Sequence, residues 1–341
     1  MAFLTRDKEP YRGSEMVCCL LMETQALATT PESALLADLI GQAQEFASRA
    51  RADNTLRAYR ADWRDFESWC QARKFAACPA TPETVALYLT DLSRTHKVST
   101  LTRRLSAISQ AHRTAGLSSP AEQAPVRLVM AGIRRILGTA ATAKRPVLVA
   151  DLQAMVNAIP GNLIGLRDRA LLLIGFSGAF RRAELVALDC SDIAETAEGL
   201  TITIRRSKTD QEAAGRKVAV PRGREVSTCP LRALAAWREE AAIEFGPLFL
   251  RVNRHGHILR QRLSAEAVAI VVKRWAEAIG FDASEFAGHS LRAGLATSAA
   301  MAGKSERAIM NQTGHRSTAT LRRYIRDGNL FRNNAAEGLG L

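Results

Sequence analysis

The sequence predicts a mainly helical protein of two domains, with a small β-hairpin in the second domain. The chain of 341 residues is too long for one small domain, and 47% of it is hydrophobic, which is enough for ordinary packed cores. Apolar residues recur at helical spacing along most of the chain. Only residues 200–221 show the two-residue alternation that is typical of strands.

The N-terminal part is predicted to be a flexible arm followed by an all-helical domain. Residues 1–33 lack periodicity and contain Pro10, Gly13 and Pro31, which is typical of a poorly ordered arm. Helical patterns then dominate residues 34–137. We therefore expect a small helical domain over this range.

Four helices of this domain can be placed by their apolar spacing. The first covers residues 55–73 and would bury one stripe, formed by Leu56, Tyr59, Trp63, Phe66 and Cys70. Pro82 opens the second helix, because proline fits a first helical turn. The third begins with Ser99 or Thr100 as its N-cap, and its inward residues are Leu101, Leu105 and Ile108. The fourth covers residues 126–137.

The charge of the chain predicts attraction to a polyanion. Lys and Arg number 47 against 34 Asp and Glu, so the formal net charge is +13. Rows of arginine are usually solvated faces, but the overall charge favours contact with nucleic acid here. Arg103 and Arg104 are expected to point outward. The candidate DNA-binding residues are Arg57, Arg60, Arg64, Arg103, Arg104, Lys144 and Arg145.

No cofactor, metal or membrane partner is expected. The apolar stretch at 16–22 is far shorter than a spanning helix and follows no signal-peptide pattern. His255 and His257 flank a glycine in a predicted loop and form no zinc set with cysteines. Cysteine pairs at C-x-x-C spacing are missing, which favours reduced thiols in a cytoplasmic protein. The six cysteines are Cys18, Cys19, Cys70, Cys78, Cys190 and Cys229.

A second domain is predicted after a linker. Residues 138–146 are small and polar and end in Pro146, so they are interpreted as the linker. Residues 147–341 follow, with helices at 151–159, 165–176 and 183–188. The strings LTITIRR and RKVAVP read as a hairpin with Lys208 near its turn. From residue 230 the pattern is helical to the end.

Six side chains of this second domain fit the breaking and rejoining of a DNA strand. Each surrounding string has an ordinary interpretation by itself. An arginine near a glutamate is usually a surface ion pair, and a tyrosine between arginines usually packs at a domain rim. Their combination in one basic chain favours a catalytic set, formed by Arg181 in GAFRRAEL, Lys208 in RRSKTD, His289 and Arg292 in GHSLRAG, His315 in TGHRS and Tyr324 in LRRYIR.

The chemistry needs a nucleophile, neutralisation of the phosphate charge and a proton for the leaving oxygen. Arg181 and Arg292 can replace a metal, because each guanidinium can bind two phosphate oxygens bidentately and keeps its charge. Together they would stabilise the pentacoordinate transition state. Tyr324 would attack and form a covalent phosphotyrosine. His289 is a candidate general base, or a hydrogen-bond donor to the phosphate. The remaining roles, protonation of the leaving 5′ oxygen and a hydrogen bond to the phosphate, fall to Lys208 and His315.

With these motifs the chain resembles the tyrosine site-specific recombinases, or phage integrases, and its layout is similar to the Cre-like subgroup. The strings TLRAYRADWRDFESWC and STLTRRLSAISQAHRTAG also resemble the helical core-binding domain of this family. The resemblance covers residues 34–330. The family's R-x-x-E, H-x-x-R and G-H boxes match Arg181 and Glu184, His289 and Arg292, and Gly314 and His315, the last nine residues before Tyr324.

This resemblance implies a fold and an assembly. It implies a SAM-like core-binding domain and an α+β catalytic domain that together clamp the duplex, with a 3′-phosphotyrosine intermediate. It also implies monomers or dimers on single sites, a tetramer on paired inverted half-sites, and a C-terminal tail, residues 328–341, exchanged between subunits. Glu184 is carried over as a supporting residue. His315 stands where some relatives have tryptophan, and both types donate a hydrogen bond.

Some alternatives stay open. Arg182 adjoins Arg181, which is preferred because Glu184 lies three residues on. Arg205 and Arg206 lie near Lys208, which is preferred for its place at the strand break. Alternative functions are a type IB topoisomerase-like enzyme that relaxes supercoils as a monomer, and a non-catalytic architectural DNA-binding protein. An RNA-binding protein is disfavoured, because no aromatic RNP or GXXG signature is present.

Overall fold

The computed structural model describes residues 31–49, 53–140, 143–207, 215–318, 321–322 and 324. These residues are mostly helical and carry two small antiparallel sheets, so the predicted fold class is confirmed. The chain divides into two compact units, Met1–Ala141 and Thr142–Leu341. Lys208 and the C-terminal tail lie outside the described residues.

The first unit is all-helical in its described part. Its core joins the stripe of the second helix to apolar residues of the next three, and Trp63, Phe66 and Cys70 are buried as predicted. Tyr88 packs edge-on against Phe66 at a centroid distance of 4.9 Å. The helices are α1 (Pro31–Arg49), α2 (Asp53–Ala72), α3 (Pro82–Ser93), α4 (Val98–Thr114) and α5 (Ala124–Leu137).

Two helix starts differ from the prediction. Helix α1 begins at Pro31, inside the segment interpreted as an arm, and proline fits there because a first-turn residue needs no N–H partner. Helix α4 has Lys97 as its N-cap without a side-chain cap, so the predicted cap at Ser99 or Thr100 is wrong. Val98 is buried, and this core contact starts the helix one residue before the first candidate cap.

The outward orientation predicted for Arg104 is also wrong. Only 11% of its side chain is exposed, and Nη1 donates to the Tyr88 hydroxyl oxygen at 2.6 Å and to the Asp65 carboxylate. Arg104 follows Leu101 by three residues and precedes Ile108 by four, so helical spacing turns it toward the core. The guanidinium therefore belongs to a polar network within the first unit.

The second unit combines helices with two small sheets. Helix α7 forms its centre and buries Leu171, Leu172 and Ile174 completely. The helices are α6 (Val149–Ala158), α7 (Leu163–Ser177), α8 (Arg182–Ala187), α9 (Pro230–Glu240), α10 (Ala265–Ala278), α11 (Ser290–Met301) and α12 (Glu306–Thr313). The strands are β1 (Ile193–Glu195), β2 (Gly199–Ile204), β3 (Arg216–Pro221), β4 (Leu250–Val252) and β5 (Ile258–Arg262).

The predicted hairpin is confirmed, and a second sheet was missed. Strands β2 and β3 pair antiparallel with Ile204 opposite Arg216, and β1 adds a third strand along β2. Strands β4 and β5 form a further antiparallel pair, so the prediction of continuous helix after residue 230 is wrong there. His255 and His257 lie in the turn of this pair, with rings 6.4 Å apart.

The segment before α6 is hydrogen-bonded into the second unit. The N–H of Arg145 donates to the Glu285 carbonyl at 2.9 Å, and that of Val147 donates to the Ser290 carbonyl at 3.0 Å. A Cβ at Gly294 would stand 1.8 Å from the Val147 carbonyl oxygen, so only glycine permits this close crossing. The end of the expected linker therefore anchors α11.

Candidate active site

The start of α8 fixes Arg181 through a local helix cap. The Glu184 carboxylate accepts the backbone N–H of Arg181 at 3.0 Å and also accepts from Nη1 of its side chain. The Glu184 side chain is 3% exposed and that of Arg181 is 19% exposed. The R-x-x-E spacing thus has a structural cause, because one carboxylate caps the helix and orients the guanidinium. Arg182 is exposed.

Arg292 lies on α11 and is almost fully buried, with 1% of its surface exposed. Its Nη1 donates to the Ala179 carbonyl at 2.7 Å, in the turn that precedes Arg181. Ala179 has a left-handed backbone with φ of 50°, which is strained for a residue with a side chain. The buried Nε and Nη2 of Arg292 have no hydrogen-bond partner among the described residues, an arrangement that favours an anionic ligand.

His289 and Tyr324 form a direct contact. The Nε2 of His289, at the N-cap of α11, lies 2.6 Å from the Tyr324 hydroxyl oxygen. The Tyr324 ring packs against a small cluster of α11, α12 and the following residues, formed by Ala296, Ala300, Ile309 and Leu321. This packing holds the phenol oxygen at the imidazole.

His315 lies on the other side of Tyr324, directly after α12. Gly314 ends that helix in a left-handed conformation, and the His315 ring centroid lies 6.0 Å from that of Tyr324. The Thr313 hydroxyl donates to the Ile309 carbonyl at 2.7 Å and lies 2.8 Å from Nδ1 of His315. Because that hydroxyl proton is already used, the arrangement favours a proton on Nδ1 and an accepting Nε2.

Burial and the nearby arginine charges lower the pKa of both histidines. Desolvation, with Arg292 and Arg181 as the nearest positive charges, lowers the pKa of His315 to about 4. Desolvation, and then the charges of Arg292 and Arg181, also lower the pKa of His289. Desolvation and then Arg181 lower the pKa of Arg292 to about 10, so it keeps its charge at neutral pH. Neutral imidazoles thus face charged guanidinium groups.

Lys208 lies outside the described residues, but both of its arginine neighbours are described. The Arg205 guanidinium donates to Asp189 at 2.5 Å and to Asp192 at 2.7 Å, which anchors the base of the hairpin. Arg206 is exposed. One side chain that the sequence did not single out, Arg216 of β3, lies 3.6 Å from the Glu184 carboxylate and thus belongs to the same site.

The candidate DNA-binding residues fall into two groups. Arg57, Arg60 and Arg64 are exposed along α2. Within that helix Arg57 donates to the Asn54 side chain at 3.2 Å and Arg64 donates to the Arg60 carbonyl at 3.4 Å. The other candidates have partners outside their own helix or segment. Arg103 donates to Asp62 at 3.0 Å, and Arg104 is turned inward. The Arg145 guanidinium lies 4.0 Å from the Phe281 ring centroid, and Lys144 donates to the Ser284 carbonyl at 2.6 Å.

The described residues show no metal centre and no membrane span. No group of three or more His, Cys, Asp or Glu in the described ranges has the geometry of a metal site. Among the helices that the structure describes, none is long and apolar enough to cross a bilayer. Cys70, Cys78, Cys190 and Cys229 are free thiols, while Cys18 and Cys19 lie outside the described part.

Comparison with models of protein families identifies the family to which the chain belongs. The model of the phage integrase family matches residues 147–329, and that of the phage integrase N-terminal SAM-like domain matches residues 45–116. The first match alone spans more than half of the chain. The fold is that of a tyrosine recombinase. The chain belongs to the phage integrase family, as the sequence motifs predict.

Curated relatives agree with this assignment. The integrase/recombinase XerD homolog of Selenomonas ruminantium is 41% identical over 298 residues, which cover 86% of this chain and 87% of that protein. The recombinase Cre of Escherichia phage P1 is 26% identical over 299 residues, covering 82% and 85%. The chain is thus similar to proteins of both the Xer and the Cre type, and Cre-like is only a loose label for it.

Solved structures share the fold at low sequence identity. A complex of the XerH recombinase with a palindromic difH substrate gives a TM-score of 0.62 at 16% identity, covering 94% of this chain and 93% of XerH. A lambda integrase dimer on a COC′ core site gives 0.56 at 20% identity, covering 85% and 94%.

Proposed function

We propose that Tyr324 is the nucleophile of a site-specific recombination reaction that proceeds through a 3′-phosphotyrosine. Family membership makes the protein a DNA strand-transferring enzyme. The observation that carries the residue assignment is the 2.6 Å contact between Tyr324 and His289, beside the buried guanidinium of Arg292. The phenol oxygen attacks phosphorus, the Tyr–O–P bond forms, and the P–O5′ bond breaks.

His289 accepts the phenol proton. A neutral imidazole with a free lone pair on Nε2 accepts a hydrogen bond from the hydroxyl, which is the geometry of a general base. Desolvation and the charges of Arg292 and Arg181 lower the pKa of His289, so the base form is present at physiological pH. The proton therefore moves toward His289 as the oxygen attacks.

Arg181 and Arg292 neutralise the transition state. A phosphodiester carries one negative charge, and the pentacoordinate transition state carries close to two. Two guanidinium groups match that charge, and the unpartnered Nε and Nη2 of Arg292 gain acceptors only when a phosphate enters. The binding energy is thus largest where charge develops. No metal ion is required for this step.

His315 and Lys208 complete the reaction. With Nδ1 donating to Thr313, His315 donates to phosphate only after Nε2 is protonated, and the negative phosphate favours that protonation. We assign protonation of the leaving 5′ oxygen to Lys208. A 5′ hydroxyl from a partner strand then reverses the steps, and the phosphodiester is restored without an energy source.

DNA recognition and assembly follow the family pattern in this proposal. The exposed arginines 57, 60 and 64 contact phosphates, with Arg103, Lys144 and Arg145 as weaker candidates because each is held by a partner from another segment of the chain. Four subunits act on two sites of inverted half-sites. The tail, residues 328–341, connects neighbouring subunits, and the protein works in the cytoplasm on nucleoid DNA.

The experiment that tests this function is to trap and sequence the DNA that the protein cleaves. Randomised duplexes with a nick that lets the cleaved end diffuse away would be incubated with the protein, and covalent complexes would be recovered under denaturing conditions. The proposal predicts one recurrent sequence with inverted repeats. Covalent capture of unrelated sequences, with relaxation of supercoiled DNA by monomers, would indicate a topoisomerase. Binding without covalent capture would indicate an architectural protein.

A further inference from the structure

Arg216 begins β3 and turns its side chain into the active site. The burial of β3 alternates, with Val218 and Val220 buried and Lys217 exposed, so the two-residue period places Arg216 on the inner face. Its side chain is 22% exposed. An arginine in phase with two core valines is therefore held inside the unit.

The guanidinium of Arg216 reaches two supports of the catalytic set. Its Nη2 lies 3.6 Å from Oε2 of Glu184, the carboxylate that orients Arg181. Its Nη1 donates to the backbone carbonyl of Gln312 at 3.2 Å. Gln312 lies near the end of α12, three residues before His315. One side chain thus connects the support of an arginine clamp to the support of a histidine.

The turn that carries His315 is packed directly on Arg216. A Cβ at Gly314 would lie 2.9 Å from Nε and 3.0 Å from Cζ of Arg216, and φ at this glycine is 66°. Glycine is therefore required twice, for the left-handed helix end and for the close approach of the guanidinium. The Gln312 side chain adds a second connection to β3, because it donates to the Ala219 carbonyl at 2.9 Å.

A purely structural ion pair explains these contacts less well. Glu184 already accepts the backbone and the side chain of Arg181, so its negative charge is compensated before Arg216 approaches. Burial lowers the pKa of Arg216, and the nearby Arg181 acts in the same direction, so this guanidinium is costly to keep. Its Nε and Nη2 are buried without hydrogen-bond partners among the described residues. Unlike those of Arg292, these atoms lie against protein groups, Nη2 beside Glu184 and Nε beside Gly314, which favours a positioning role over phosphate contact.

We propose that Arg216 is a positioning residue of the cleavage reaction. It holds Glu184 and thereby Arg181, and it holds the turn of Gly314 that presents His315, so that both side chains meet the same phosphate. The inference rests on the proposed function. Because an ångström-scale displacement of a clamp can cost about 100-fold in rate, a residue without phosphate contact has a measurable effect on catalysis.

The test compares Arg216→Met and Arg216→Lys with the matched control Lys217→Met, which removes the same charge from the exposed neighbour. The measurements are the single-turnover rate of covalent complex formation on prebound nicked DNA, the Kd for that DNA and the midpoint of thermal unfolding. We expect Arg216→Met to lower the rate about 10–100-fold while the Kd stays within about twofold. Arg216→Lys should restore the rate only in part, because one ammonium group cannot reach both Glu184 and the Gln312 carbonyl. Lys217→Met should match the unmodified protein.

A double-mutant cycle with Glu184→Gln separates positioning from general destabilisation. Because Arg216 acts in part through Glu184, the rate loss of the double variant should be clearly smaller than the product of the two single losses. Multiplicative rate losses, or a wild-type rate in Arg216→Met, would overturn the inference. If Arg216→Met does not fold, the same cycle is run with Arg216→Lys. Failure of the unmodified protein to form the covalent complex would instead refute the proposed function.

Discussion

The Nε2 of His289 lies 2.6 Å from the phenolic oxygen of Tyr324. The two residues come from the start of α11 and from the segment after α12, which are 35 residues apart in sequence. In the mechanism proposed above, this contact joins the base to the nucleophile before any phosphate is bound. Arg292, a proposed phosphate ligand, is likewise oriented by the Ala179 carbonyl.

Replacing either clamp arginine should slow cleavage without abolishing DNA binding. Arg181→Ala and Arg292→Ala each remove charge that stabilises the transition state, and losses of about 100- to 1,000-fold in the single-turnover rate are expected. Arg182→Ala is the matched control, because this neighbour of Arg181 is exposed and should keep the unmodified rate. A wild-type rate in Arg181→Ala or Arg292→Ala would remove that arginine from the mechanism.

The protonation of His315 should respond to both arginine and phosphate. We expect its ring protons to titrate with a pKa of about 4 in the free protein when followed by NMR. Loss of positive charge in Arg292→Ala should raise this pKa, and so should a bound target duplex in the Tyr324→Phe background, because a phosphate stabilises the imidazolium. Titration of the free protein near the ordinary value of about 6.5, unchanged by DNA, would contradict this account.

Acid should destabilise the first unit through His112. Its Nε2 accepts the Ala80 N–H at 2.9 Å, and burial lowers its pKa, so the neutral ring is part of the fold. The unfolded chain binds a proton more readily, so this contribution to stability is complete above about pH 6.5 and is lost as the pH falls toward the lower pKa of the folded state.

Hydrogen exchange of the amides in α2 to α5 measures this effect. Protection should fall as the pH drops below about 6.5 in the unmodified chain. The variant His112→Asn should lose about 1–3 kcal/mol at neutral pH, because the Ala80 amide loses its acceptor, and it should show a flatter pH dependence. If amide protection falls equally steeply with decreasing pH in both proteins, a group other than His112 titrates.

The arginines of α2 and α4 should separate DNA affinity from stability. We expect the logarithm of the DNA-binding constant to depend less steeply on the logarithm of the salt concentration in Arg57→Ala, Arg60→Ala and Arg64→Ala. The slope should fall by about one in each variant, since each exposed guanidinium displaces about one counterion. Arg104→Ala should leave that slope unchanged and destabilise the first unit by about 1–3 kcal/mol, because Tyr88 and Asp65 lose a charged hydrogen-bond donor. Unchanged salt slopes in all three α2 variants would remove this helix from the DNA interface.

Regular apolar spacing made most of the fold predictable. The stripe through Trp63, Phe66 and Cys70 follows from one amphipathic helix, and the β2–β3 hairpin follows from strict alternation. Strands β4 and β5 were missed because β4 has only three residues and β5 is largely exposed, so neither shows a run of alternating apolar residues long enough to indicate a strand. The N-cap of α4 was misplaced because core burial of Val98 outweighed capping preference.

Motif order in the sequence leads to the proposed catalytic residues, whereas the residues that support them are visible only in the structure. Spacing gives no information on the approach of Arg292 to Ala179 or of Tyr324 to His289, because these contacts join distant segments. Arg216 did leave a signal, since its alternation with Val218 and Val220 places it on the buried face of β3. Arg104 left a similar one through its spacing from Leu101. In both cases a charged residue occupies a position whose spacing matches the buried apolar residues of its helix or strand. Such a position predicts that the charge has a buried partner.

The most direct test of the central claim is to identify the residue that carries DNA after cleavage. The unmodified protein would be trapped on nicked target DNA, digested, and analysed by mass spectrometry, with Tyr324→Phe run in parallel. For the unmodified protein we expect a nucleotide attached through a 3′ phosphate to the peptide that contains Tyr324. Tyr324→Phe should give no covalent product, although its Kd for DNA should be nearly unchanged. A covalent product with Tyr324→Phe, or attachment at another residue, would contradict it.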